Sequence, residues 1–363
     1  MAIPLFDILT PLQPLQERLA ATAATTLERG WFILGPEVDA FEREFAAYLG
    51  VKHVVGVANG TDALTIALRA MGVGPGDDVV VPSFTFYASA EAIPPTGARP
   101  VFCDVDRETM MVTPETVRAA LTPATKAVIA VHLFGNVAPV RELEALGVPV
   151  LEDAAQAAGS RGPDGRPGAL GAAATFSFYP TKNLGCMGDG GAIATSSNEV
   201  MELTRMLRFH GSRDQSTWEL IGYNSRLDEL QAAFLRVLLP ELDRWSEGRA
   251  QAAGYYAAAG LGQFVELPEP TDGAIPAWHL YVIRSGEVDQ IAAALNEAGI
   301  GSKVYYRPPV HRHPAMAPYA HGLELPVTDE LARRHLAIPI RPMLSQAQAE
   351  QVTDRIATIL AAR

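Results

Sequence analysis

Lys182 lies within the segment Ser177-Phe178-Tyr179-Pro180-Thr181-Lys182-Asn183-Leu184-Gly185, in which a hydroxyl and an amine stand five residues apart after a strand-like run. Upstream, Leu151-Glu152-Asp153-Ala154-Ala155-Gln156 offers a carboxylate and an amide. The chain has only four lysines, Lys52, Lys126, Lys182 and Lys303, and Lys182 alone leads into the glycine-rich run Gly185-Cys186-Met187-Gly188-Asp189-Gly190-Gly191. An amine held among apolar residues sheds its proton more readily than one in water and can form a Schiff base with an aldehyde. Solvation at the surface is the ordinary fate of a lysine, and it suits Lys52 and Lys126.

The other groups fall around this amine. Asp153 follows the apolar run Val148 to Leu151, which places it at the carboxyl end of a buried strand, where doubly wound sheets hold ligands. There it can pair with a protonated ring nitrogen. At about 4 Å and an effective dielectric near 20 such a pair is worth roughly 4 kcal/mol before desolvation is subtracted. Gln156 can share a face with Asp153 on a helical turn and reach a ring hydroxyl or a substrate group. The plain alternative makes Asp153 an N-cap and Gln156 a surface residue. If Ser177 faces a phosphate, the loop after it can return Lys182 to an aldehyde of the same molecule. Asn59-Gly60-Thr61-Asp62-Ala63-Leu64 opens an amphipathic helix, and the N-terminal amides of Gly60, Thr61 and Asp62 can bind that phosphate. Thr61 or Asp62 could equally serve as a helix cap.

Six segments occur in order along the chain: Gly35-Pro36-Glu37-Val38, Asn59 to Leu64, Gly74-Pro75-Gly76-Asp77, Glu152 to Gln156, Ser177 to Gly185, and Asn224-Ser225-Arg226-Leu227-Asp228-Glu229. Together they resemble the DegT/DnrJ/EryC1/StrS family, the pyridoxal phosphate (PLP)-dependent aminotransferases of nucleotide-linked keto-sugars. The resemblance implies PLP bound through Lys182, with Gly60, Thr61, Asp62, Asp153, Gln156 and Ser177 around it. It also implies an α/β chain of PLP-dependent transferase fold type I, as in aspartate aminotransferase. Phe86 matches the position whose ring stacks on the cofactor, a contact worth about 0.5–1.5 kcal/mol beyond burial. Asn224 matches an asparagine that reaches the cofactor phosphate of the neighbouring subunit, which implies a homodimer with shared sites.

From the residues alone, Phe86 belongs to an aromatic cluster that core packing would also explain, and Asn224 is a helix N-cap. The stretch Tyr305-Tyr306-Arg307-Pro308-Pro309-Val310-His311 matches a loop near the sugar, making Tyr305, Arg307 and His311 candidate substrate residues. Relatives often carry histidine where Tyr305 stands and proline where Arg307 stands. Arg307 suits a diphosphate or a solvated loop alike. The expected reaction moves an amino group from an amino acid, L-glutamate, to a keto carbon of an NDP-linked keto-deoxysugar, at position 3 rather than 4. The alternatives are a 4-keto-sugar aminotransferase, an NDP-sugar 3-dehydratase and a non-catalytic PLP-fold regulator. Lys182 opposes the dehydratase, which carries histidine there, and a regulator is expected to have lost cofactor ligands.

The elements that must position these groups read as βα units. Apolar runs at 78–82, 100–102, 127–131 and 148–151 suit buried strands, and 172–178 and 190–195 continue the sheet. Helical patterns at 61–71, 85–93, 114–121 and 138–145 lie between them, followed by 198–209 and 225–239. This predicts a large domain over 1–240, a mainly parallel sheet sandwiched by helices, with Pro240 as its end. The remainder, 241–363, predicts a smaller α+β domain with helices at 241–258, 287–298 and 345–361 and strands at 278–284 and 301–305.

Composition narrows the function further. At 363 residues two domains are expected. A net charge of −12 and a pI near 5.2 oppose a nucleic-acid role. No apolar run of about 18 residues suggests a membrane span, and Met1 to Asp7 lacks the pattern of a secretory signal, so a cytoplasmic location is expected. Cys103 and Cys186 stand far apart without metal-ligand spacing, so neither a disulfide framework nor a metal site is expected. Cys186, four residues past Lys182, is expected to border the site.

Overall fold

The computed structural model describes residues 2–361. Met1, Ala362 and Arg363, which fall at the ends of the two expected domains, lie outside the described residues. A seven-stranded sheet forms the centre, built from β1 (His53–Val57), β2 (Asp78–Pro82), β3 (Arg99–Cys103), β4 (Thr125–Val131), β5 (Val150–Asp153), β6 (Ala173–Ser177) and β7 (Gly191–Thr195). Its order is β1-β7-β6-β5-β4-β2-β3. Only β7 runs against its neighbours, pairing antiparallel with β1 and β6, while the remaining pairs are parallel. Val79, Val80, Val81, Val128, Ile129, Val150 and Leu151 are fully enclosed, as strands covered on both faces must be.

Helices supply that cover. Gly60–Ala70 buries Leu64, Ala67 and Leu68 against the sheet. Pro36–Leu49 and Glu229–Leu238 pack beside the other part of the sheet, with Phe41, Phe45, Phe176 and Phe178 interlocked edge to face at 4.9–5.7 Å. Glu229 ties the two helices: its buried carboxylate accepts the amides of Gly35, Glu37 and Val38 at 2.8–3.0 Å. Those donors open the Pro36–Leu49 helix and would otherwise be unsatisfied.

A second, two-stranded antiparallel sheet joins β8 (Tyr281–Arg284) and β9 (His335–Ile338). It packs with Val288–Glu297 and Gln346–Ala361 around Tyr256, Ile283, Ile291 and Ile356. Ile3 is buried in this same core and pairs with Ile300. The amino-terminal segment therefore crosses from the C-terminal sheet towards the large one. The 240/241 division falls in a 3-10 turn, Leu239–Glu241, and the helix Leu242–Ala258 contributes to both sides, with Trp245 packed under the large sheet and Tyr256 in the smaller core.

Several expected elements come out shorter. Over 85–93 only Ala88–Glu91 is α-helical: the Ser89 and Ala90 amides bond three residues back, to Phe86 and Tyr87, and Pro94 and Pro95 follow. The strand expected at 278–284 begins at Tyr281, since Trp278 has a φ of 48°. At 301–305 a single bridge, Lys303 to Ala337, replaces a strand. The helix expected from 225 starts at Glu229, because Ser225 accepts the Ala58 amide and Asp228 pairs with Ile33.

Candidate active site

The carboxyl ends of β2, β4, β5 and β6 open on one cavity of about 1080 Å³, whose wall includes Gly60, Phe86, Asp153, Ser177, Lys182 and Tyr305. Three sets of groups face into it. Among the described residues no hydrogen bond or ion pair reaches the Lys182 amine. Burial pulls its pKa down to about 8, against an opposing pull from Asp153. The loop that aims it is tight: Lys182 donates its amide to Tyr179 at 2.8 Å. A Cβ on Gly185 would lie 2.6 Å from the Pro180 carbonyl, which explains the glycine.

Asp153 ends β5, is buried, and has no cationic side chain in ion-pair contact among the described residues. Ser89 Oγ donates to one oxygen at 2.7 Å and the Ala155 amide to the other at 3.2 Å. These bonds fix its orientation, and no cationic side chain of the described residues occupies the carboxylate.

At the third place, Asn59 caps the Gly60–Ala70 helix and accepts the Asp62 amide at 2.8 Å. This corrects two expectations: the cap is neither Thr61 nor Asp62, and the Asp62 amide is already used. The Gly60 and Thr61 amides have no hydrogen-bond acceptor among the described residues, as expected at a helix N-terminus. Ser177, at the end of β6, lies so close that a Cβ on Gly60 would meet its Cβ at 2.8 Å. An amine, a carboxylate and an amide-and-hydroxyl cradle thus line one cavity, matching the aldehyde, ring nitrogen and phosphate of PLP.

Phe86 exposes 54% of its surface into the cavity, 6.1 Å from Tyr306; its ring is available to a flat ligand rather than consumed by core packing. Gln156 lines the cavity too, but its oxygen accepts the Phe134 amide at 2.7 Å and its nitrogen donates to Tyr306 Oη at 2.9 Å. Tyr305 and Arg307 lie on the rim, Arg307 paired with Asp289 at 2.6 Å. His311 does not belong there. It is buried, one ring nitrogen 2.6 Å from Ser83 Oγ and the other 3.6 Å from Asp329. The loop turns it inward, and His313 lines the cavity in its stead.

Asn224 is exposed, outside this chain's cavity, and bridges Phe209; the N-cap of the following helix is Asp228. Cys186 is buried with its thiol against the Phe178 and Gly188 carbonyls, and burial pushes it up to about 12. Three site residues went unread in the sequence. Ser89 and Tyr306 act through hydrogen bonds with distant partners, and no spacing announces either. His279, buried beside Lys182, sat inside a stretch that reads as a strand. Burial and the charges of Lys182 and Arg249 hold its pKa well below 6.5.

Comparison with known proteins places this geometry. The profile of the DegT/DnrJ/EryC1/StrS aminotransferase family matches residues 13–357. The chain belongs to that family. DegT/DnrJ/EryC1/StrS proteins are PLP-dependent, and a solved relative 28% identical to this chain carries the amino form of the cofactor.

The chain is 43% identical to a dTDP-3-amino-3,4,6-trideoxy-alpha-D-glucose transaminase of Streptomyces venezuelae, over 98% of this chain and 95% of the relative. It is 42% identical to a UDP-N-acetyl-3-dehydro-alpha-D-glucosamine 3-aminotransferase of Acidithiobacillus ferrooxidans, over 99% and 97%. A pleiotropic regulatory protein of Geobacillus stearothermophilus is also 42% identical, over 98% of each. The crystal structure of Streptomyces venezuelae DesV superposes with a TM-score of 0.94 at 42% identity, covering 98% of both chains. Like the two relatives named as sugar transaminases, the chain is a PLP-dependent aminotransferase acting on nucleotide sugars. No helix among the described residues is long and apolar enough to cross a membrane, and no group of three or more metal-ligand side chains occurs there.

Proposed function

We propose that the chain moves an amino group from L-glutamate to C3 of an NDP-linked 3-keto-deoxysugar. The observation that carries the catalytic part is the unpartnered Lys182 amine facing the cavity across from Asp153. Two relatives named for 3-amino or 3-keto sugars support position 3 over position 4. One relative is named as a regulator, but here Lys182, Asp153, Ser177 and the Gly60 and Thr61 amides all stand ready for a cofactor.

The fit assigns roles. Gly60, Thr61 and Ser177 would hold the phosphate of PLP, Asp153 its ring nitrogen, and Phe86 one face of its ring. When bound, PLP supplies an electron sink for the carbon that loses its proton. Lys182 Nζ takes the proton from the amino-bearing carbon of the donor and returns one to the keto carbon of the acceptor. Burial lowers the free amine from its ordinary value to about 8 in the cofactor-free chain, the direction that favours a general base near working pH. Asp153, held by Ser89 and the Ala155 amide, keeps its charge aimed at one point instead of reorganising during the reaction. Tyr305 and Arg307 would meet the nucleotide sugar at the rim.

The assembly in this reading is a cytoplasmic homodimer. Trp31, Phe32, Trp218 and Ile221 are exposed by 48–87%, more bulky apolar surface than solvent alone favours. Asn224, outside its own chain's cavity, would reach the partner's phosphate. A screen of half-reactions tests the substrate: the enzyme loaded with the amino form of the cofactor is given matched 3-keto and 4-keto NDP-sugars, and the absorbance is followed. Fast return of the aldehyde form with the 3-keto sugars alone is expected; preference for 4-keto sugars overturns the assignment.

A further inference from the structure

Behind Lys182 lies a second, much smaller cavity of about 60 Å³, lined by Asp7, Lys182, Trp245, Arg249, His279 and Arg341 among others. Phe6, Thr181, Lys182 and His279 line both cavities, so the small one lies directly against the wall that carries the reacting lysine. Its charges do not balance. Arg341 is compensated by Asp7 at 3.7 Å and by the Pro4 carbonyl and Gln348. Arg249 has no ion pair among the described residues, and its Nη1 is buried without a hydrogen-bond partner. Enclosure without an anion pulls its guanidinium down to about 10. Trp245, 5% exposed, likewise has a buried Nε1 with no acceptor. Cys186, the other acidic group in this wall, is neutral, because burial pushes its thiol up to about 12.

Two orphaned donors, one of them on an uncompensated guanidinium, around one void call for an anion, because a buried unpaired donor costs the full desolvation of that group. The volume restricts which one. A void of about 60 Å³ holds a carboxylate or a few waters, and a hexose or nucleotide is far too large. We propose that Arg249 and Trp245 form the donor subsite, binding the α-carboxylate of the amino acid whose amine reacts at Lys182. The inference rests on the aminotransferase reading above and adds to it the residues that select an α-amino acid. His279 stays neutral between the two cations and gives its Nδ1 to Asn183 at 3.2 Å, so it adds no charge of its own to compete for the carboxylate.

The test compares L-glutamate with 4-aminobutyrate, which is glutamate without the α-carboxylate. In the cofactor-free protein, L-glutamate should raise the melting temperature and change the tryptophan emission, and 4-aminobutyrate should do neither. Arg249→Gln should abolish both responses, Arg249→Lys should retain part of the first, and Trp245→Phe should lose the emission change. In the loaded enzyme Arg249→Gln should raise the KM for L-glutamate by about 10- to 100-fold, as expected for losing hydrogen bonds to a charged group, with the KM for the keto-sugar unchanged. Equal responses to 4-aminobutyrate, or wild-type glutamate binding by Arg249→Gln, overturn the subsite. Failure of the wild type to aminate any nucleotide keto-sugar, with glutamate binding still dependent on Arg249, would overturn the sugar reading alone.

Discussion

Lys182 and Asp153 divide the proposed chemistry between a proton carrier and a fixed charge, and each makes a separate prediction. Asp153→Asn keeps the hydrogen bonds from Ser89 and Ala155 within reach but removes the charge. Both half-reactions should slow together by at least about 100-fold in stopped-flow absorbance, the scale of losing preorganised electrostatic stabilisation; unchanged rates with a lower melting temperature would make Asp153 a structural residue. For Lys182 the pKa falls from 10.5 to about 8 in the folded chain. Between those values the unfolded chain binds a proton that the folded chain does not, so stability rises with pH through this window. Urea midpoints of the cofactor-free protein, compared below pH 8 and above 10.5, should show that rise in the wild type beyond what Lys182→Met shows. Equal slopes would mean that the amine is not desolvated. That Lys182, Asp153 and Ser177 come to one cavity was legible because a strand end and a short loop fix where they emerge. His311 was misread since nothing local says that Ser83, far away in sequence, turns its ring inward, and Arg249 was unreadable for the same reason.

At the scale of elements, two junctions bring the site together. The helix Gly60–Ala70 meets the end of β6 through a contact that only glycine allows, with a Cβ 2.8 Å from Ser177. Gly60→Ala should weaken PLP binding, measured by absorbance titration, well beyond its effect on the melting temperature; normal affinity would remove this helix end from the phosphate site. The other junction is Glu229, whose carboxylate accepts three amides at the start of Pro36–Leu49. Glu229→Ala strands those donors in a buried place, each worth about 1–3 kcal/mol, and should sharply lower the midpoint of chemical unfolding. A midpoint within error of wild type would show the junction to be dispensable. The buried strands at 78–82 and 127–131 were readable from continuous β-branched runs. The register of 301–305 was not, because a single bridge to β9 is settled by packing between sheets and not by local propensity.

Across the whole molecule, a chain whose own cavity excludes Asn224 requires a partner if that residue is to touch cofactor. Mixing Lys182→Ala with Asn224→Asp chains should restore activity, to at most about half per heterodimer, once subunits exchange; confirmed exchange without recovery would leave each chain self-sufficient. The account stands most directly on whether Lys182 passes nitrogen from an amino acid to a sugar. The decisive measurement incubates nitrogen-15-labelled L-glutamate and an NDP-linked 3-keto-6-deoxyhexose with the PLP-loaded enzyme and follows the label by mass spectrometry and NMR. Label on C3 of the sugar with the wild type, and none above background with Lys182→Ala, is the predicted result. Near-normal labelling by Lys182→Ala, or no label in any nucleotide sugar offered to the wild type, would contradict it.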